Sequence, residues 1–392
     1  MKKYNSMLKS ARLEKSWTRE FVSEQVGVSL NTYSRWETGV QLPRHASLYA
    51  LCEIFKMSPE ELGFADIIAR HSQHIERLET HTKKSHNRMP RSKESRTASE
   101  NPTLWSIGIA TCWQLYMLGE PAELTQLLPS YLSKLTRSTL RPGPDQKLAA
   151  GLAAQVYQLI ALLDLQHGDF VAAQINGTQA LVYSQLAKDW NIYIASQLRL
   201  AAIFMARKRI GSALSAYNDA LHCVNLENEA ISPILHSWIF AGLAEIQATM
   251  GRKQEALQFL KLAFAVFPEK LEIGMNLSYA ECDRSMLYFY EGLVFLRLGQ
   301  PKFAWDALAE IDEMKPLPPP RARAEFLKQK AYTSIILGNM TQSCIYLEAA
   351  AKAAQEIKSD LAFSEVYALY EHLLAHWGQE ARVIALAQLF QR

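Results

Sequence analysis

Turn residues and small side chains recur in step along most of this 392-residue chain. Gly168, Lys208, Gly251, Gly299, Gly338 and Gly378 stand roughly 40 residues apart, with one longer gap. Five residues after the first five of them come Ala173, Ala213, Ala256, Ala304 and Ser343. Twelve residues after them come Ala180, Ala220, Ala263, Ile311 and Ala350, and seven before them Ala161, Ala201, Ala244, Gly292 and Ala331. Between these marks apolar residues recur at helical spacing, as in LAAGLAAQVYQLIALLDLQHGD, and no convincing strand alternation is found. Two antiparallel helices approach closely only where small residues face each other. A proline such as Pro268 or Pro316 then ends the second helix. The expected architecture is all-α: helical hairpins stacked from residue 101 to 392.

This register of small, turn, small, small and proline resembles the tetratricopeptide repeat (TPR) family, with units longer than that family's 34 residues. The last unit departs most, with Glu371 and Val383 at two small-residue places. The resemblance implies an α-solenoid whose extended concave face binds peptides or protein segments. By the repeat register, inner-face places on the first helices fall at Gln155, Gln158, Trp238, Glu245, Arg297, Glu325, Lys328 and Tyr332. Among these, Gln158, Trp238, Arg297, Lys328 and Tyr332 are the candidate ligand contacts.

The front of the chain is built differently. In its first helix Leu8, Ala11 and Met7 mark an inner face. Thr18 is placed to cap a second helix, in which Val22 and Val26 share an inward face. Gly27 permits a left-handed turn, and Ser29 caps a third helix over residues 29–37. Tyr33 and Trp36, three apart, face inward there, which leaves Leu30, Asn31, Ser34 and Arg35 outward. Gly39 ends that helix. ASLYALCEIF is then expected to form a fourth helix and SPEELGF a short fifth, with Ser58 as its cap and Pro59 at its first position.

Two helices joined by a glycine turn, the second with a polar outer face, follow the helix-turn-helix plan. Residues 4–64 resemble the Xre/Cro family of five-helix, lambda-repressor-like domains. The residues that carry this are Thr18-Arg19-Glu20, Val22-Ser23, Val26-Gly27-Val28-Ser29, Ser34-Arg35-Trp36-Glu37, Gly39 and Pro43. The resemblance implies that Leu30, Asn31, Ser34 and Arg35 read base edges in a major groove and that Arg19 and Arg44 hold phosphates. Arg35 suits a guanine edge, Asn31 an adenine and Leu30 a thymine methyl. A single such domain reads few bases, so a homodimer on a pseudo-palindromic double-stranded operator is expected.

Charge supports this division. The first hundred residues carry an excess of five positive charges, whereas the rest are slightly acidic. Residues 65–100 are polar and basic, with apolar residues nearly absent after Leu78, and read as a linker between domains at 1–64 and 101–392. The four histidines there (71, 74, 81 and 86) have no cysteine beside them and read as part of the solvated linker, not as a metal site. His372 and His376, one turn apart beside Glu371, lack an evident third ligand.

Five scattered cysteines without a C-x-x-C pair fit free thiols in a reducing cytoplasm. Neither a signal peptide nor a long uncharged apolar span is evident, so no membrane partner is expected. No phosphate-binding glycine motif, H-E-x-x-H or G-x-S-x-G occurs, so the chain is not expected to be an enzyme and no cofactor is expected. The whole architecture resembles the peptide-responsive regulators of the RRNPP group. That implies a short signalling peptide in the solenoid groove; a protein partner on a scaffold, or a phage or toxin–antitoxin repressor, remains the alternative.

Overall fold

A computed structural model describes residues 5–15, 17–26, 28–41, 43, 51, 54–55, 57, 62–64, 102–140, 143–226, 231–269, 277–280, 283–314 and 317–391. These residues are overwhelmingly helical, with no strand among them. They fall into two compact units, residues 1–97 and 98–392.

The first unit contains α1 (Ser6–Glu14), α2 (Arg19–Val26) and α3 (Leu30–Glu37). Asn5 caps α1, its Oδ1 accepting from the Leu8 amide at 3.1 Å, while its Nδ2 donates to the Leu62 carbonyl at 3.0 Å. Thr18 Oγ1 accepts from the Phe21 amide at 3.1 Å and so starts α2 as the sequence suggests. Leu8, Ala11, Val22, Tyr33 and Trp36 form the core together with Leu51, Phe55, Leu62 and Phe64. Met7 does not join them: it is about half exposed, because one turn of helix already seats Leu8 and Ala11 inward. The fourth and fifth helices, their Ser58 cap, the Gly27 turn, Arg44 and the linker at 65–100 lie wholly or mostly outside the described residues.

The second unit is a series of helical hairpins. The pairs are α4 (Pro102–Leu118) with α5 (Pro121–Thr139), α6 (Gln146–Gln166) with α7 (Phe170–Ala187), and α8 (Trp190–Ala206) with α9 (Ile210–Leu226). They continue with α10 (Pro233–Thr249) and α11 (Lys253–Val266), α12 (Arg284–Arg297) and α13 (Pro301–Glu310), and α14 (Pro320–Ile336) and α15 (Met340–Glu356). α16 (Asp360–Trp377) and the short α17 (Ala381–Ala385) close the series. The turns repeat one geometry. At the end of α6 the Gly168 amide donates to the Leu165 carbonyl and the Asp169 amide to Asp164. Gly168 takes the left-handed φ of 76° that this motif needs, and Asp169 then caps α7 through the Ala172 amide. Lys208, Gly251, Gly299 and Gly338 are left-handed in the same way. Gly378 is not: it stays right-handed at φ −66°, and its hairpin has only a stub of a second helix.

The small residues of the repeat sit where the helices cross. Ala161, Ala201, Ala244 and Ala331 on first helices are fully buried, as are Ala173, Ala213, Ala256, Ala304, Ala180, Ala220, Ala263 and Ala350 on second helices. A Cβ on Gly292 would fall 2.9 Å from Leu308 Cγ, so α12 and α13 could not pack this closely around a larger residue. α6 is the described helix long and apolar enough to cross a membrane, yet most of that stretch is buried within the unit, the condition of a core helix.

The hairpins curl until later ones meet the first. Arg321 at the start of α14 donates from Nε to the Tyr116 carbonyl on α4 at 2.8 Å, with its guanidinium over the Tyr116 ring. Ile357, just past α15, packs on Gly119, and His167 after α6 lies 3.5 Å from Asp360 on α16. These contacts turn the concave side, expected as an extended face, into a pocket.

Candidate nucleic-acid interface

α3 is an eight-residue helix with defined ends. Ser29 Oγ accepts from the Thr32 amide at 3.2 Å. At the other end the Gly39 amide donates to Trp36 and the Val40 amide to Arg35, with Gly39 left-handed at φ 65°. This closing motif fixes where the helix stops. Its inner face is Tyr33, Trp36 and Glu37, all buried, with the two aromatic rings edge to face at 6.2 Å. Its outer face is Leu30, Asn31 and Arg35, all exposed, with Ser34 half-buried between them. Positions 30, 31, 34 and 35 share one side of a helix, so these four side chains form one polar edge with a single apolar tip. Arg35 pairs with no acid among the described residues.

Behind that edge lies an ion network that the sequence pattern did not single out. Glu37 is completely buried. It accepts from Arg12 Nε at 2.6 Å and from Arg19 Nε at 2.7 Å, while Arg12 Nη1 donates to the Trp17 carbonyl at 2.8 Å. One carboxylate thus ties α1 and α2 to the end of α3. Burial by itself would push the Glu37 carboxyl upward; the Arg12 and Arg19 guanidiniums outweigh it and hold the group below the usual carboxylate range. The same burial, with the Glu37 charge nearby, raises the Tyr33 phenol. The signal was present in two places: an acid directly after a buried tryptophan, and an arginine four residues after Leu8 on the inner face of α1.

Arg19, expected to hold a phosphate, stands at the amino end of α2, about one-third exposed, with its Nε engaged by Glu37. The expected phosphate contact at Arg44 falls outside the described residues. A helix start offers unpaired amides as well as this guanidinium, and both suit a phosphate.

The inner-face candidates of the second unit are scattered. Gln158 is buried and bonds Ser196 Oγ at 2.8 Å; Gln155 accepts from the indole of Trp113 at 3.2 Å. Trp238 is buried, donating to the Tyr290 hydroxyl at 3.2 Å beneath the Arg199 guanidinium. Arg297 lies 3.7 Å from Glu245, whose carboxyl burial pushes up. Lys328 is clasped by Glu325 and Glu365, and Tyr332 is half-buried. None of these five candidates lines the pocket of about 470 Å³ at the closure of the stack. The rings of His372 and His376 lie 4.8 Å apart, tilted at 60°, and no group of three metal-ligating side chains occurs among the described residues.

Residues 8–62 match the helix-turn-helix family. Comparison with curated proteins gives no match to the chain. A helix-turn-helix domain at the amino-terminal end, with a helical repeat-like unit after it, makes DNA the partner that the chain is built to meet. Its class is that of the DNA-binding transcriptional regulators.

Proposed function

We propose that the chain is a ligand-responsive regulator: α3 reads a pseudo-palindromic operator, and the hairpin unit, TPR-like in register, dimerises and senses a short peptide. The observation that carries the first part is the exposed edge of Leu30, Asn31, Ser34 and Arg35 on a helix anchored from behind by Tyr33, Trp36 and Glu37. Support for the second part is the register of buried small residues and the curled stack with an internal cavity. A ligand shifts such a protein only by binding one curvature better than another; the stack would then change the spacing of two recognition helices.

Mapping of genome-wide binding sites, with and without spent culture medium, tests this reading. Two half-sites about one helical turn apart, with occupancy that depends on the medium, are expected. Binding indifferent to every extract would leave a constitutive regulator. Mass spectrometry of co-purified material separates the two partners: a short peptide supports the sensor and a large protein the scaffold.

A further inference from the structure

The second unit holds an unassigned cavity of about 470 Å³ where the curled stack meets itself. That volume lies in the range of sites for drug-sized ligands, roughly 300–1,000 Å³. Its walls are mostly apolar, with Met117 from α4, Leu162 and Leu165 from α6, Phe289 from α12 and Leu361 from α16. Into this setting α14 brings one permanent cation, Arg321, which is only 8 % exposed. Its Nε is taken by the Tyr116 carbonyl and its plane lies on the Tyr116 ring. Its Nη2 is buried and has no hydrogen-bond partner among the described residues.

The acid one turn along the same helix, Glu325, is committed to Lys328 at 2.6 Å. Asp283, which like Glu325 lines the cavity, caps α12 through the Met286 amide and accepts from Ser285. A buried guanidinium without an anion is costly, several kcal/mol for an ion left unpaired. The group that relieves such a cost best is a carboxylate, which matches the guanidinium fork and is satisfied by charge-assisted hydrogen bonds.

From this we infer that the cavity takes a small apolar molecule ending in a carboxylate, seated with its apolar chain among Leu162, Leu165 and Phe289 and its carboxylate on Arg321 Nη2. Because Arg321 Nε stays on Tyr116, the ligand fastens α14 to α4 and holds the stack in its curled form. Two sources share this chemistry: a free medium-chain organic acid and the carboxy terminus of a short apolar peptide. The inference rests on the sensor reading only for its consequence at DNA; binding itself stands without it.

The test uses the full chain, stripped of bound small molecules, in titration calorimetry and thermal unfolding at pH 7.5. The probes are decanoate, decanol, an apolar tetrapeptide with a free carboxy terminus, and the same tetrapeptide amidated. A carboxylate form that binds at least tenfold tighter than its neutral counterpart is the expected result, with decanoate or the tetrapeptide identifying the source. Arg321→Met should abolish that preference without lowering the midpoint of the ligand-free protein, since the Tyr116 carbonyl keeps the Gly119 amide as donor. Ala322→Phe, which fills the cavity from a half-buried position, should weaken all binding while Arg321 remains. Equal affinity for acid and neutral probes, no binding by any of them, or an unchanged preference in Arg321→Met would overturn the proposal. Tight carboxylate binding that leaves DNA affinity unaltered would sustain it and remove the sensor reading instead.

Discussion

Replacing Glu37 with glutamine puts the anchoring of the recognition helix to a quantitative test. Glu37 is fully buried and neutralises Arg12, itself only 7 % exposed, while also holding Arg19. Removing one partner of a buried ion pair costs about 3–5 kcal/mol. Glutamine keeps one carbonyl acceptor, and Arg19 can relax into solvent, so about 2–4 kcal/mol is expected here. A unit of about 60 residues holds only about 3–9 kcal/mol in all. Hydrogen exchange of the intact chain, read on peptides covering residues 30–41, should therefore show protection reduced by about 30- to 1,000-fold. The peptides of α6 to α15 should be unchanged.

Arg12→Met combined with Glu37→Leu should recover most of the loss, because it removes both buried charges together. The pH dependence has a definite direction. A carboxyl held below its usual range contributes stability above about pH 4.3 that drains away as pH falls through the lower folded value. The wild-type unit should thus weaken in acid more steeply than Glu37→Gln. Unaltered protection of α3 in Glu37→Gln, or a loss spread equally over the hairpin unit, would refute the reasoning.

Other expectations follow from single positions. Gly39→Ala forces a side chain into the left-handed region at φ 65° and should cost the first unit about 1–2 kcal/mol, visible as lower protection at the end of α3. Ala213→Leu places extra atoms in a fully buried helix crossing and should cost about 1–3 kcal/mol in thermal unfolding of the hairpin unit. Ala202→Leu, on an exposed position of α8, should change it by less than about 0.5 kcal/mol. Burial pushes the Cys112 thiol up to about 11 and also raises Cys344. Iodoacetamide at pH 7.5 should therefore modify the partly exposed Cys223 well before either of them, as peptide mass spectrometry would show.

What could be read without coordinates was whatever depends on neighbours along the helix. Tyr33 and Trp36 point inward because they are three apart, and Ser29 and Thr18 cap because their oxygens precede helical runs; each is a local matter. The alanines of the hairpins are similar, since a fixed offset from a turn residue sets which face they occupy. What stayed hidden depends on residues far apart. Arg12 and Glu37 are 25 positions apart, and only the packed unit shows that the acid of the Trp-Glu pair belongs to the core. Arg321 and Tyr116 are 205 positions apart, and no periodicity announces that the stack returns on itself there. For the same reason the inner-face register picked Gln158 and Trp238, which helix-to-helix packing absorbs, and of the residues that line the cavity it reached Glu325 but not Arg321. Gly378 looked like another turn residue by spacing alone, yet the short α17 leaves its hairpin incomplete and its φ right-handed.

The claim on which the rest depends is that α3 presents Arg35 to a base edge. Duplexes selected from a random library by the full chain supply a target whatever the operator sequence is. Fluorescence anisotropy at fixed, moderate salt then compares the wild type with Arg35→Ala on the selected duplex and on variants of it. The account predicts a loss of about 5- to 150-fold on the selected sequence, equivalent to about 1–3 kcal/mol, with discrimination relaxed at one base pair per half-site. Selection that enriches no sequence, or Arg35→Ala binding with wild-type affinity and wild-type discrimination, would contradict it.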